Sequence, residues 1–427
     1  MRYNNIDNKL FKSNRERLME QVNEGSLLII NSNDETPRNG DQYYPFRQHS
    51  DLFYLTGIEQ EKTILIMFKD HPLPAFRQIL FIIRPDETLE TWEGRKLRAK
   101  EASDISGIVT IKYLDETEAI LRDLMVQSQR VYLNRNEYPK FFPDVVSRDD
   151  RFIIQLQKQF PLHRYERLSP LLWKLRMVKS KEEITLMQKA MSITGDAFNR
   201  VLETLKPGIK EYEAEAEIIY EFTRQGATHG YQPIIAQGIN GCSLHYHHND
   251  SICQDGQLLL MDFGAEYANY GADCSRTIPV NGRFTLRQRA CYEAVLRVLK
   301  KAIQLYIPGN TINTVNQQVN LMIQDEMIAL GLFTQEDVNN QPADKPCYAK
   351  YFMHGTAHFL GLDVHDVGGK DIPFESGMIL TCEPGLYIRD EAIGIRIEDN
   401  ILVGATPTNL TDHIIKEAEA IEKRMQY

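Results

Sequence analysis

The sequence predicts a two-domain protein: a small α/β domain over residues 1–172, then an α+β domain over residues 173–427 with an internal pseudo-two-fold repeat. Three observations predict it. The chain has 427 residues, more than one ordinary core accommodates. Short β-type runs crowd residues 26–115, with helical patterns among them. Beyond about residue 170 one order of elements occurs twice, ending each time in an apolar strand pair that carries acids.

The first-domain runs are "SLLIINS", "KTILIMF", "RQILFIIRP" and "GIVTIKYL", and "ETEAILRDLMVQ" has helical spacing. Strands mixed with helices at this density make a small α/β domain. The boundary falls at about residues 165–175. "VKSKEEITLMQKAM" then opens the second domain with a capping box, Ser180 followed three residues later by Glu183. Apolar residues at 184, 187, 191, 198 and 202 continue that helix to "KPG" at 206–208. A second helix, "EYEAEAEIIYEFTRQG", stops at Gly226. The pattern recurs as a helix over 286–306, "IPG" at 307–309, and a helix stopping at Gly331.

Composition excludes several functions. A net charge of -10 argues against nucleic acid, whose phosphates need a basic face. No apolar run approaches the ~20 residues of a membrane helix. "MRYNNIDNKLFKSNRERL" lacks the apolar segment of a secretory signal. Cysteines 242, 253, 274, 291, 347 and 382 show no CxxC spacing, so neither a disulfide framework nor a thiolate metal site is expected. The expected compartment is the cytoplasm.

The chemistry lies in the acids of the two strand pairs. If "GQLLLMDFG" and "YGADCSRTIPV" pair about a turn near 267–268, Asp262 faces Asp273. If 389–392 is the other turn, Glu383 faces Glu398. Facing residues lie about 4.5–5.5 Å apart at Cβ, and like charges there are destabilising. Taken singly, each acid reads as a turn, edge or solvated residue. Two matched pairs require compensation, from Arg276 or Arg396 or better from divalent cations shared by four carboxylates. Histidines cluster nearby: His354, His358 and His365 in "HGTAHFLGLDVHD", and His245, His247 and His248 in "SLHYHHND". Four carboxylates and one imidazole suit Mn²⁺ and tolerate Co²⁺, Fe²⁺ or Zn²⁺. Two such ions sharing a water make a hydrolytic centre.

"MDFG…GADCSRT", "HGTAHFLGLDVHDVG", "LTCEPGLYI" and "GIRIEDN" resemble the ligand signature of the creatinase/aminopeptidase "pita-bread" metallopeptidases, and within them the aminopeptidase P group. "RNGDQYYPFRQHSDLFYLTGIEQ" and "ETWEGRKL" resemble that group's N-terminal domain, so the likeness covers nearly the whole chain. The resemblance implies that Asp262 holds one metal, that His358 and Glu383 hold the other, and that Asp273 and Glu398 bridge. It makes Glu383 the proton acceptor, sets His245, His354 and His365 around the scissile carbonyl, and gives Arg396 a supporting role. It places Asp41 near the substrate's amino terminus and makes Trp92 an inter-subunit aromatic, hence a homo-oligomer, dimer or tetramer.

The implied activity is release of the N-terminal residue from peptides with proline second, using two divalent metals, most simply Mn²⁺. The alternatives are a prolidase restricted to Xaa-Pro dipeptides and a non-catalytic binding protein. "DVGGKDIPFESG" and "RDEAIG" are shorter than in several relatives, which points to an open cleft.

Overall fold

The computed structural model describes residues 2–140 and 144–426. The chain divides into two compact units, Asn4–Arg176 and Met177–Tyr427, the second joined by Met1–Tyr3.

In the first unit the apolar runs become one six-stranded sheet. Its order is Thr110–Tyr113, Gln78–Ile82, Ile64–Phe68, Ser26–Asn31, Arg130–Leu133, Tyr165–Arg167. Ser26–Asn31 is antiparallel to Ile64–Phe68 and parallel to Arg130–Leu133. Every residue of Ser26–Asn31 is buried, as a strand covered on both faces requires. Leu27, Ile29, Ile66 and Phe81 form one core with Leu121, Leu124 and Met125 of the Thr117–Gln127 helix. Arg130–Leu133 and Tyr165–Arg167 lie outside the expected strand set. At four and three residues they are too short to display a period.

In the second unit the repeat is visible in the backbone. Lys181–Thr204, Gly208 at φ +98, Glu211–Arg224 and Gly226 at φ +75 correspond to Leu286–Ala302, Gly309 at φ +93, Ile312–Ala329 and Gly331 at φ +74. The first helix has its capping box: Ser180 N donates to Glu183 Oε2 (2.9 Å) and Glu183 N to Ser180 Oγ (3.3 Å). Each half then carries a long hairpin interrupted midway. Leu258–Asp262 pairs with Ser275–Pro279, and Ala265–Tyr267 with Tyr270–Gly271. Ile379–Cys382 pairs with Asp399–Leu402, and Gly385–Ile388 with Ile393–Arg396.

The registers differ in how closely they follow the sequence. In the second hairpin Cys382 faces Asp399 and Gly385 faces Arg396, so Glu383 stands opposite Glu398 as its spacing predicts. In the first, Asp262 faces Ser275 rather than Asp273, and Asp273 falls opposite Gly264. The turn is the reason. It is Ala268–Asn269, at φ 52 and 65, one residue later than expected. Moving a turn by one residue slides the register by two, which leaves every side chain on its own face. Alanine at positive φ is uncommon, so "EYANY" carries no hairpin signal. Gly264 marks a close approach: a Cβ there would lie 1.8 Å from the Ala272 carbonyl oxygen.

Candidate metal centre

Asp273, Glu383 and Glu398 sit at the hairpin breaks, where the ladders lapse, and Asp262 is the last paired residue before one of them. Tyr231, ahead of the Ile234–Gln237 strand, reaches between Asp262 and Asp273. Its hydroxyl lies 2.6 Å from Asp262 Oδ1 and 2.5 Å from Asp273 Oδ1, so the two aspartates converge. One hydroxyl proton serves only one of two carboxylates.

His358 is brought in by a short stitched segment. Glu383 N donates to the Thr356 carbonyl (2.9 Å), Thr381 N to the His358 carbonyl (3.0 Å), and His358 N to Thr381 Oγ1 (3.1 Å). The His358 Nδ1 lies 3.0 Å from the Phe359 carbonyl oxygen. A carbonyl only accepts, so Nδ1 carries the proton. That is the arrangement of a metal-ligating imidazole. Nε2 is then turned to Asp273 Oδ2 at 3.3 Å and Glu383 Oε1 at 3.8 Å. Glu398 Oε2 accepts from Ser275 Oγ at 2.7 Å, while the buried Glu398 Oε1 has no protein partner. Asp273, His358 and Glu398 offer ligand atoms all within 4.8 Å of one another.

Burial makes these charges expensive. It pushes Glu383 up to about 7, against the lowering influence of His358 and Arg396. It lifts Glu398 well above the carboxylate range, helped by Asp273 and Glu383. Asp273 also rises through burial, although its hydrogen bond to His358 opposes this. Burial alone would lower His358, but the bond to Asp273 and the charges of Asp273 and Glu383 raise it to about 9. Without a cation, the cluster therefore holds protons more tightly than free carboxyls do.

One guanidinium enters it. Arg396 Nη2 donates to Asp262 Oδ2 (2.6 Å), Nε to Ser275 Oγ (2.8 Å) and Nη1 to the Tyr387 hydroxyl (2.9 Å). Its direct carboxylate partner is therefore Asp262, and it meets Glu398 only through Ser275. Arg276 stays outside. It pairs with Asp399 (2.7 Å) and donates to the Glu398 and Ile414 carbonyls. Tyr387 OH lies 2.7 Å from His354 Nε2, and His354 Nδ1 lies 2.8 Å from the Gly355 carbonyl oxygen. Both His354 nitrogens are thus engaged. Burial, with Arg396 adding to it, holds that ring down at about 4, so it is neutral.

His365 packs edge-on to His358, ring centres 4.4 Å apart. His245 is exposed, close enough for its charge to depress His354 further. His247 stacks on His245 and, with His248, is exposed. Asp41 and Trp92 belong to the other unit. Asp41 is exposed at the tip of the Pro37–Asn39/Gln42–Tyr43 hairpin, and Trp92 is 85% exposed on the Glu87–Glu93 helix. Sequence reasoning misses Tyr231, Ser275 and Tyr387. Tyr387 has a weak signal: it follows Glu383 by four residues on one alternating face, past Gly385.

Known proteins resemble this chain over nearly its whole length. The model of metallopeptidase family M24 matches residues 185–405, and that of the aminopeptidase P N-terminal domain matches 11–132. The Xaa-Pro aminopeptidase of Escherichia coli strain K12 is 37% identical, over 98% of both chains. That of Haemophilus influenzae is 36% identical, over 98% of this chain and 97% of its own. Among solved structures, Zn-substituted E. coli aminopeptidase P in complex with product has a TM-score of 0.88 at 34% identity, covering 99% of both chains. The low-pH form of the E. coli protein has a TM-score of 0.90 with the same identity and coverage. By its sequence over the catalytic unit, this chain belongs to metallopeptidase family M24.

Proposed function

We infer that the chain is a metal-dependent Xaa-Pro aminopeptidase, hydrolysing the bond between an N-terminal residue and a following proline. The observation that carries this is the convergence of four carboxylates and one imidazole at the hairpin breaks, in a chain matched over nearly its whole length by Xaa-Pro aminopeptidases. The donor set fits divalent cations. Glu398 Oε1 lacks a partner, His358 Nε2 faces two acids, and four carboxylates meet a single guanidinium. Two ions are proposed, Mn²⁺ first because the ligands are mostly oxygen, with Co²⁺, Fe²⁺ or Zn²⁺ accommodated. Asp262 would hold one, His358 and Glu383 the other, with Asp273 and Glu398 shared. Such a pair supplies a nucleophile at neutral pH and polarises a carbonyl.

The protein's own groups do the rest. Glu383 takes the proton of the attacking water and returns it to the departing proline nitrogen. Hydrogen bonds to the developing oxyanion are assigned to the His245, His354 and His365 group, with His245 foremost because the His354 nitrogens already meet Gly355 and Tyr387. Arg396 holds Asp262 and, through Tyr387, fixes the His354 ring. The Xaa-Pro bond has no N–H and a fixed ring, which calls for a dedicated site. Asp41 is assigned to the substrate's amino terminus and Trp92 to a subunit contact in a dimer or tetramer, both on resemblance. The cytoplasm is the proposed compartment. Among the described residues no helix is long and apolar enough to cross a membrane.

Steady-state kinetics on Ala-Pro, Ala-Pro-Ala, Ala-Pro-Ala-Ala and Ala-Ala-Ala-Ala test the reading. Alanine should leave the two longer proline peptides at least as fast as the dipeptide, since residues beyond proline help position the bond. The all-alanine peptide should stay intact. Turnover of the dipeptide alone would make the protein a prolidase, and no turnover by metal-loaded protein would leave a binding protein.

A further inference from the structure

The Glu211–Arg224 helix carries two acids one turn apart, Glu211 and Glu215, on one face. Glu211 is fully buried. Its Oε1 accepts from Gln237 N (2.8 Å) and Asn240 Nδ2 (3.2 Å). Its Oε2 accepts from the Tyr246 hydroxyl (2.7 Å) and Ser251 N (2.9 Å). All four donors belong to one excursion of the chain, the loop that leaves the Ile234–Gln237 strand and returns toward Leu258–Asp262. A single carboxylate therefore ties both ends and the middle of that loop. Glu215 adds a fifth tie, accepting from Asn249 Nδ2 at 2.9 Å, while Asn249 Oδ1 accepts from Ile235 N at 3.0 Å.

His245 lies between two of the tethered residues, Asn240 and Tyr246, and next to the second. Its ring is exposed and stacks on His247, itself exposed, so its place depends on the backbone that these ties anchor. A buried carboxylate is costly unless its oxygens are satisfied, and charge-assisted bonds of this kind are the strong ones.

We propose that Glu211 is a positioning residue for peptide cleavage: its carboxylate fixes the loop so that His245 is held at the scissile carbonyl. The inference rests on the role given above to His245. Glu211→Gln keeps the shape of the side chain, but its NH₂ group cannot accept the bonds that one carboxylate oxygen accepted.

The test is a double-mutant cycle on metal-loaded enzyme with Ala-Pro-Ala-Ala, comparing the parent, Glu211→Gln, His245→Ala and the double variant. Bound metal and KM are recorded beside kcat. His245→Ala should lower kcat by about 10²-fold, as loss of an oxyanion donor does. Glu211→Gln should lower it by about 10- to 10²-fold through misplacement, with bound metal and KM little changed. The double variant should be no slower than His245→Ala, because the two act as one unit. Additive losses, or Glu211→Gln at the parental rate while His245→Ala is slow, would overturn the positioning role alone. His245→Ala at the parental rate would overturn the assignment of His245 itself. Should Glu211→Gln not fold, Tyr246→Phe removes one donor and keeps the carboxylate. It should slow the parent and leave His245→Ala unaffected, and equal slowing of both would count against the proposal.

Discussion

Glu383 lies between two imidazoles, with His358 Nε2 3.8 Å from Oε1 and His354 Nδ1 3.8 Å from Oε2. The first distance leaves room for a ligand role and the second marks the wall of the site. In its proposed roles of ligand and proton acceptor, Glu383 should not be replaceable. Glu383→Ala is expected to lower kcat on Ala-Pro-Ala-Ala by at least about 10²–10⁴-fold, the usual range for loss of a general base. A variant within threefold of the parent would remove the assignment. The acids were legible in the sequence because a charge inside an apolar run is anomalous. Tyr231 and Tyr387 were not, because tyrosine in or near a strand is ordinary. Arg276 and Arg396 were indistinguishable by sequence distance. Only the fold sends Arg396 to Asp262 and Arg276 to Asp399.

The two hairpins show what spacing fixes at the level of elements. In the second, the turn is the expected four residues 389–392, and Glu383 meets Glu398. In the first, the turn was displaced by one residue, and Asp262 met Ser275. The error did not reach the site, since a two-residue slip preserves the face and Tyr231 gathers both aspartates. Gly264 makes this local geometry possible, because any Cβ there strikes the Ala272 backbone. Gly264→Ala should cost about 1–3 kcal/mol or more, as overpacking does. It should lower the melting temperature by about 3–10 °C and weaken metal binding with it. An unchanged melting temperature and metal content would show that the strands separate freely there. The matched glycines at φ +98 and +93, and at +75 and +74, explain why the repeat was readable with so little residue identity. Helix stops demand glycine where side chains elsewhere are free to vary.

For the whole molecule, a two-unit chain with an α/β first unit was legible from length and runs, while the short strands Arg130–Leu133 and Tyr165–Arg167 were not. The central claim is that the second unit's acid cluster is completed by divalent cations. Without them its groups should act on stability in one direction. Glu383, Glu398 and Asp273 have folded pKa values raised by burial, and His358 is raised by its acidic neighbours. Each binds protons better folded than unfolded, so the stability it contributes is full at low pH and is lost as pH rises through its folded value. For Glu383 that value is about 7 and for His358 about 9. Metal-free protein should therefore melt lower at pH 8 than at pH 6, and metal should restore more at pH 8. The most direct measurement is a Mn²⁺ titration of chelated protein at pH 8, following bound metal, melting temperature and cleavage of Ala-Pro-Ala-Ala in the same samples. The expected result is that all three rise together and level off at two ions per chain. Chelated protein that is as stable and as active as the loaded form would contradict the account.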